Sequence, residues 1–214
     1  TIYKKTGTKG EQRRNIAITQ ELYDLIIFMT NSFIRPTDIK ILQHKHVQIV
    51  RSPQTYLLLN YPPTKGHSSP VVTMPEAVEV YERLLKRQKE NGFGKAEDYL
   101  FQPELPDNRD YALRTLTRQF DQLLKVADLK TTANGESRTL YSLRHTCIMF
   151  RLTKGDNVAM LTLARSARTS PEMIDRFYAK HLTAEMNVEQ LQSLKREHKK
   201  RAPKNTPRSE AIRA

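Results

Sequence analysis

Four side chains spread along this sequence share one chemical purpose. Tyr178, in Phe177-Tyr178-Ala179-Lys180-His181-Leu182, carries a phenol that can act as an oxygen nucleophile. Arg144 lies upstream, in Leu140-Tyr141-Ser142-Leu143-Arg144-His145-Thr146. Arg35 stands earlier still, at the mouth of a predicted helix, and Lys65 sits between two strand-like runs. A phosphodiester resists attack because its oxygens are negative and its leaving group is poor. Two arginines supply fixed positive charge and planar hydrogen-bonding forks for the non-bridging oxygens, where charge builds up in the transition state. Attack by a tyrosine conserves the bond energy as a phosphotyrosine, so a strand can be resealed without ATP. A lysine can protonate the departing 5′ oxygen. The four together would make a metal-free site for cutting and rejoining DNA.

Taken singly, each residue has a plainer reading. Arg35 reads as a surface arginine, Lys65 as a solvated hairpin lysine, Tyr178 as an amphipathic tyrosine at a helix end and His145 as a packed helix histidine. Order and spacing favour the chemical reading. Composition agrees with it: the formal net charge is +13 and the isoelectric point about 9.9, as in proteins that neutralise phosphates. Residues 195–214 hold eight Lys/Arg against two Glu, so much of the surplus is in the tail, but the rest of the chain is basic too. The single cysteine, Cys147, cannot form an internal disulfide; it suggests a reducing compartment and reads as a small core residue. No apolar run approaches the roughly 20 residues of a membrane span, so no membrane partner is expected.

The elements that must position these groups follow from pattern. Thr19 is a predicted N-cap, followed by Leu22, Leu25, Ile26, Met29 and Phe33 at helical spacing. A turn at Arg35-Pro36 leads to a second helix with Thr37 or Ser32 as its cap and Ile39 and Leu42 inward. The runs 47–50, 55–60 and 71–74 predict three antiparallel strands. A helix opens at Pro75-Glu76 and stops near Asn91-Gly92; residues 92–109 read as a loop. Leu113, Leu116, Phe120 and Leu123 mark another helix, and residues 128–139 a polar loop. Helices are then predicted over about 140–153, 156–165, 171–179 and 184–199. The fold class is α+β, mainly α, with one small three-stranded antiparallel sheet. Residues 1–15 read as a linker or arm, 16–183 as the catalytic domain, 184–199 as a C-terminal helix and 200–214 as a disordered basic tail. Val188, Leu191 and Leu194 form a narrow apolar stripe on 184–199, which packs on its own domain or docks on another subunit.

The order of these residues resembles the catalytic domain of the tyrosine recombinase, or phage integrase, family over about residues 15–185. The most specific stretches are Tyr141-Ser142-Leu143-Arg144-His145-Thr146 and Thr169-Ser170-Pro171-Glu172-Met173-Ile174-Asp175-Arg176-Phe177-Tyr178. In that family an arginine follows a helix and precedes a small sheet, as in Phe33-Ile34-Arg35-Pro36, and a lysine sits on the sheet's hairpin, as in Thr64-Lys65-Gly66. Two departures stand out. The family's usual histidine three residues before the second arginine is Tyr141, and the usual histidine or tryptophan nine residues before the nucleophile is Thr169. Both resemble a phage and mobile-element subgroup with Tyr-x-x-Arg and Thr-Ser at these places. Tyr141 and Thr169 can still donate hydrogen bonds, but a free tyrosine pKa near 10 suits Tyr141 poorly as a general base. Arg165 and Arg168 flank Thr169, and a one-residue shift would put Arg168 in its place. His145, Arg165 and Arg168 are therefore further candidates for phosphate binding.

The resemblance implies a site-specific recombinase that needs no metal or nucleotide cofactor. It would act on double-stranded DNA as a homotetramer on two sites, with an accessory DNA-bending protein as a further partner and the cytoplasm, at the nucleoid, as its place of work. It also implies an N-terminal DNA-gripping domain, which residues 1–15 cannot form; the chain, which does not begin with Met, reads as a piece of a longer protein. Two other readings share the fold: a DNA-binding regulator with reduced or no catalysis, and a relaxing topoisomerase.

Overall fold

The computed structural model describes residues 2–3, 16–63, 69–155 and 158–178. Lys65, the 184–199 helix and the 200–214 tail lie outside the described residues. The element order is β1 (Ile2–Tyr3), β2 (Ile16–Ala17), α1 (Gln20–Thr30), two 3-10 turns at 36–40 and 44–46, β3 (Val47–Val50), β4 (Tyr56–Leu59), β5 (Val71–Val72), α2 (Glu76–Glu90), α3 (Arg109–Val126), α4 (Leu140–Lys154), α5 (Met160–Ser166) and α6 (Pro171–Tyr178).

Local signals account for most of the helix ends. Thr19 caps α1, its hydroxyl accepting from the Leu22 N–H at 3.3 Å, and Asn108 caps α3 in the same way through Tyr111 N–H at 3.0 Å. Helix α2 ends at Asn91, and Gly92 takes the left-handed φ of +84° that a helix stop favours. Helix α4 opens with Thr139 N–H donating to the Ser142 hydroxyl at 3.0 Å. Pro171 begins α6, where a missing N–H goes unnoticed, and the Ser170 hydroxyl accepts from Met173 N–H at 3.3 Å.

The core gathers Leu22, Leu25, Phe28 and Met29 of α1, Leu57 and Leu59 of β4, Val78, Tyr81 and Leu84 of α2, and Leu116 and Phe120 of α3. Helix α1 packs on α2, α3 and α4, and β4 on α2. The sheet has the order β3-β4-β5, all antiparallel, with Val47 opposite Leu59 and Leu59 opposite Val71. Leu57 and Leu59 alternate inward, as strand geometry requires. The mainly helical fold with one small three-stranded sheet is the class read from the sequence.

The structure departs from the pattern reading in four places. Strands β4 and β5 are shorter than 55–60 and 71–74. Helix α5 starts at Met160, not near 156. The second helix is a 3-10 turn with Arg35, not Thr37 or Ser32, in the capping position, because Asp38 reaches back to accept from Arg35 N–H at 2.8 Å. Residues 2–3, in what reads as linker, pair with 16–17 at the start of the domain reading, Ile2 opposite Ala17. No described helix is long and apolar enough to cross a membrane.

Candidate active site

Helix α4 buries a stripe of Leu140, Arg144, Cys147 and Ile148. These positions are four, three and one apart, the spacing of a core face. Arg144 therefore stands where the pattern calls for an apolar residue, and only 2 % of it is exposed. Burying a guanidinium is unfavourable unless its N–H groups are satisfied. Its terminal nitrogens donate to the carbonyls of Phe33 and Ala167. Arg35 is half-buried and donates to the carbonyl of Arg168. Among the described residues, these partners are neutral carbonyls and no carboxylate forms an ion pair with either arginine. The buried carboxylate of Asp38 acts on Arg144 through space. Burial, with the neighbouring charge of Arg35, holds the Arg144 pKa below its ordinary value.

Two of the three carbonyls belong to residues in the left-handed region. Phe33 has φ +55° and Arg168 has φ +49°. Such a conformation is uncommon for a residue with a Cβ and costs on the order of 1–3 kcal/mol. Here each one aims a carbonyl at an arginine. The strain is part of the means by which the guanidiniums are fixed.

Tyr178 closes α6, where it and Ile174, four residues apart, face inward. It is 5 % exposed. Its hydroxyl lies 2.5 Å from His145 Nδ1. The rings of His145 and Tyr178 are 5.2 Å apart, and His145 also meets Tyr141 at 4.9 Å. A cleft is lined by Tyr141, Arg144, His145, Ile148, Thr169, Met173, Ile174, Phe177 and Tyr178. Burial is the main reason that the Tyr178 phenol is pushed up to about 12; the positive charge of Arg144 works against it. Burial, then the charge of Arg144, lowers the His145 pKa. At neutral pH the pair is a neutral phenol beside a neutral imidazole.

The remaining candidates separate by position. Thr169 is half-buried and lines the cleft. Arg168, next to it, points the other way: Nε donates to Ser69 O at 2.7 Å, a terminal nitrogen donates to Tyr61 O at 3.1 Å, and the guanidinium stacks on the Tyr61 ring at 4.0 Å. Arg168 thus ties together the two stems of the β4–β5 connection, while its own carbonyl holds Arg35. Arg165 is exposed on α5. Tyr141 is 42 % exposed at the cleft's rim.

Two residues not singled out in the sequence complete the frame. Asp38 is buried and accepts from Arg35 N–H and from the Tyr61 hydroxyl, the latter at 3.0 Å. Burial and the Asp38 charge push the Tyr61 pKa upward. The Arg35-Pro36-Thr37-Asp38 spacing is a legible turn signal, with an acid three residues after the capping position. Nothing local marks Tyr61, whose role depends on Arg168 stacking from far along the chain.

Neither a protein-family model nor a curated protein matches the sequence. Among solved structures, the chain is similar to the Tn1549 transposon integrase. The complex of that integrase with transposon right end DNA gives a TM-score of 0.51 at 18% identity, covering 80% of this chain and 58% of that one. Its complex with circular intermediate DNA gives a TM-score of 0.50 at 20% identity, covering 80% and 59%. The chain thus spans less than two thirds of the length of the integrase it resembles. At this identity the likeness is one of fold: the described residues share with that integrase a mainly helical arrangement with one small three-stranded sheet.

Proposed function

We propose that this chain is the catalytic region of a tyrosine-type DNA recombinase of the integrase kind. It would cut one strand by attack of Tyr178 and reseal it by reversal of the same step. The observation that carries this reading is the convergence of Tyr178, Arg144 and His145 in one cleft, with Arg35 tied to the turn that leads into the tyrosine's helix. Two arginines whose guanidiniums donate to backbone carbonyls suit a phosphate. The fold shared with an integrase solved on DNA, and the net charge of +13, support it.

In this mechanism Arg35 and Arg144 clamp the non-bridging oxygens of the scissile phosphate, with Thr169 and Tyr141 as further donors at the cleft. The Tyr178 oxygen forms a bond to phosphorus as the bond to the 5′ oxygen breaks, and Lys65 protonates the leaving oxygen. The product is a 3′-phosphotyrosine and a free 5′-hydroxyl. The hydroxyl of a partner strand then attacks the phosphotyrosine and releases the enzyme. Exchange between two duplexes calls for several copies, and a homotetramer on two DNA sites is the assembly we infer.

A nicked duplex that loses its 5′ fragment after cleavage traps the covalent adduct. Wild type should accumulate adduct on a substrate carrying the element's own end sequence. Tyr178→Phe should form none and should bind with nearly unchanged affinity, since only a hydroxyl is lost. Adduct from Tyr178→Phe would remove Tyr178 from the role. Tight binding with no adduct from wild type would instead mark a DNA-binding regulator on the same fold, and relaxed rather than recombined product a topoisomerase.

A further inference from the structure

We propose that His145 is the base that takes the phenolic proton of Tyr178. The inference rests on the recombinase reading above and assigns a step that reading leaves open. Three observations carry it. The Tyr178 hydroxyl is 2.5 Å from His145 Nδ1, a distance for direct proton transfer. Both rings line the cleft beside Arg144, so the base stands next to the atom that must attack. Tyr141, which occupies the position three before Arg144, is a poor acceptor at neutral pH because its own group is a phenol.

In the step, the proton leaves the Tyr178 oxygen for Nδ1 of the neutral imidazole. The tyrosine oxygen bonds to phosphorus, and the bond from phosphorus to the 5′ oxygen breaks. The imidazolium returns the same proton when Tyr178 is expelled in the resealing step. The environment makes a base necessary and keeps this one available. Burial pushes the phenol up to about 12, so spontaneous ionisation at neutral pH is rare. Burial and Arg144 hold the imidazole below its ordinary value, so it is unprotonated and able to accept. The groups facing His145 are Tyr141 and Arg144 from α4, Phe177 and Tyr178 from α6, and Thr169 from the turn before α6. Among these Arg144 is the one cation, and a bound phosphate would offset its charge and make His145 more basic as the substrate arrives.

The test is single-turnover adduct formation on the nicked duplex by the full chain. Wild type, His145→Gln and His145→Ala are each prepared with ordinary tyrosine or with a ring-fluorinated, more acidic tyrosine at position 178. Thermal melting checks that each variant folds. His145→Gln keeps a hydrogen-bond acceptor but cannot take a proton, and should slow adduct formation by about 100-fold or more at neutral pH, with DNA affinity unchanged. The rate of wild type should rise with pH and level above the imidazole's pKa, whereas both variants should go on rising toward the phenol's. The fluorinated phenol should restore a large part of the loss in the variants and do little for wild type. Wild-type rates from folded His145→Gln would overturn the inference. So would slow variants that keep the wild-type pH profile and gain nothing from fluorination, which would make His145 a prop for the ring. No adduct from wild type would overturn the recombinase reading itself, a result distinct from either.

Discussion

The chain buries charge in two regions by opposite means. Between α1 and α2, Asp24 is fully buried and receives Arg83 through Nε at 3.0 Å and a terminal nitrogen at 2.6 Å, and Arg87 at 2.6 Å. There the arginines end on a carboxylate, and their outer parts remain in solvent. Around α4 and the 167–168 turn, Arg144 and Arg35 end on backbone carbonyls. A carbonyl satisfies a donor but cancels no charge. The first region is a strut, and the second is an electropositive seat. Arg109 shows that a carbonyl cage alone is not enough. It donates to the carbonyls of Ile39, Phe101, Gln102 and Leu105 and stacks on Tyr99 at 3.8 Å. It reads as a staple for the loop before α3. What sets Arg144 apart is company: a tyrosine hydroxyl and an imidazole in its own cleft, with the charge of Arg35 acting on it from outside the lining.

The contrast can be broken by exchanging readouts. The largest effect should come from the seat. Arg144→Ala or Arg35→Ala should slow adduct formation by about two to three powers of ten, the scale of losing one transition-state donor. Arg→Lys should rescue poorly, because the planar fork is gone. Equal cleavage by wild type and Arg144→Ala would make Arg144 a second strut.

The double variant Arg83→Ala/Arg87→Ala should act on stability instead. It leaves Asp24 buried without its cations, a change worth about 3–5 kcal/mol, read from the midpoint of urea unfolding. Cleavage per folded molecule should stay near wild type. A cleavage defect out of proportion to the fraction unfolded would show that the two regions are coupled.

Arg168 sharpens the comparison, because it belongs to both kinds. Arg168→Ala removes the donors to Tyr61 and Ser69 and leaves two carbonyls to find other partners. The expected loss is about 1–3 kcal/mol of stability, with a fall in cleavage smaller than that of Arg144→Ala, transmitted through the loosened Arg35. If Arg168→Ala instead leaves stability unchanged and flattens the salt dependence of DNA binding by about one log–log unit, the side chain meets phosphate.

Much of this architecture is legible from local chemistry. Thr19, Asn108 and Pro171 mark helix starts because capping and proline chemistry act within one turn. The apolar spacing of α1 and α3 shows which faces are buried. The order of Arg35, Lys65, Arg144 and Tyr178 suggests a reaction, because few chemistries need that set. Other features needed the folded chain. Sequence puts Thr169 at one position and leaves Arg168, one residue away, as the alternative. Packing divides them, since a left-handed residue at 168 sends its side chain to Tyr61 and Ser69 while Thr169 lines the cleft. His145 reads singly as a packed histidine. Its contact with Tyr178 arises only when α4 and α6 meet, and the carbonyls that hold Arg144 come from Phe33 and Ala167, distant in sequence on either side. Residue types and local turns are set by interactions a few positions long. The partner of a buried charge, and the acceptor of a particular proton, are set by which surfaces the hydrophobic core brings together.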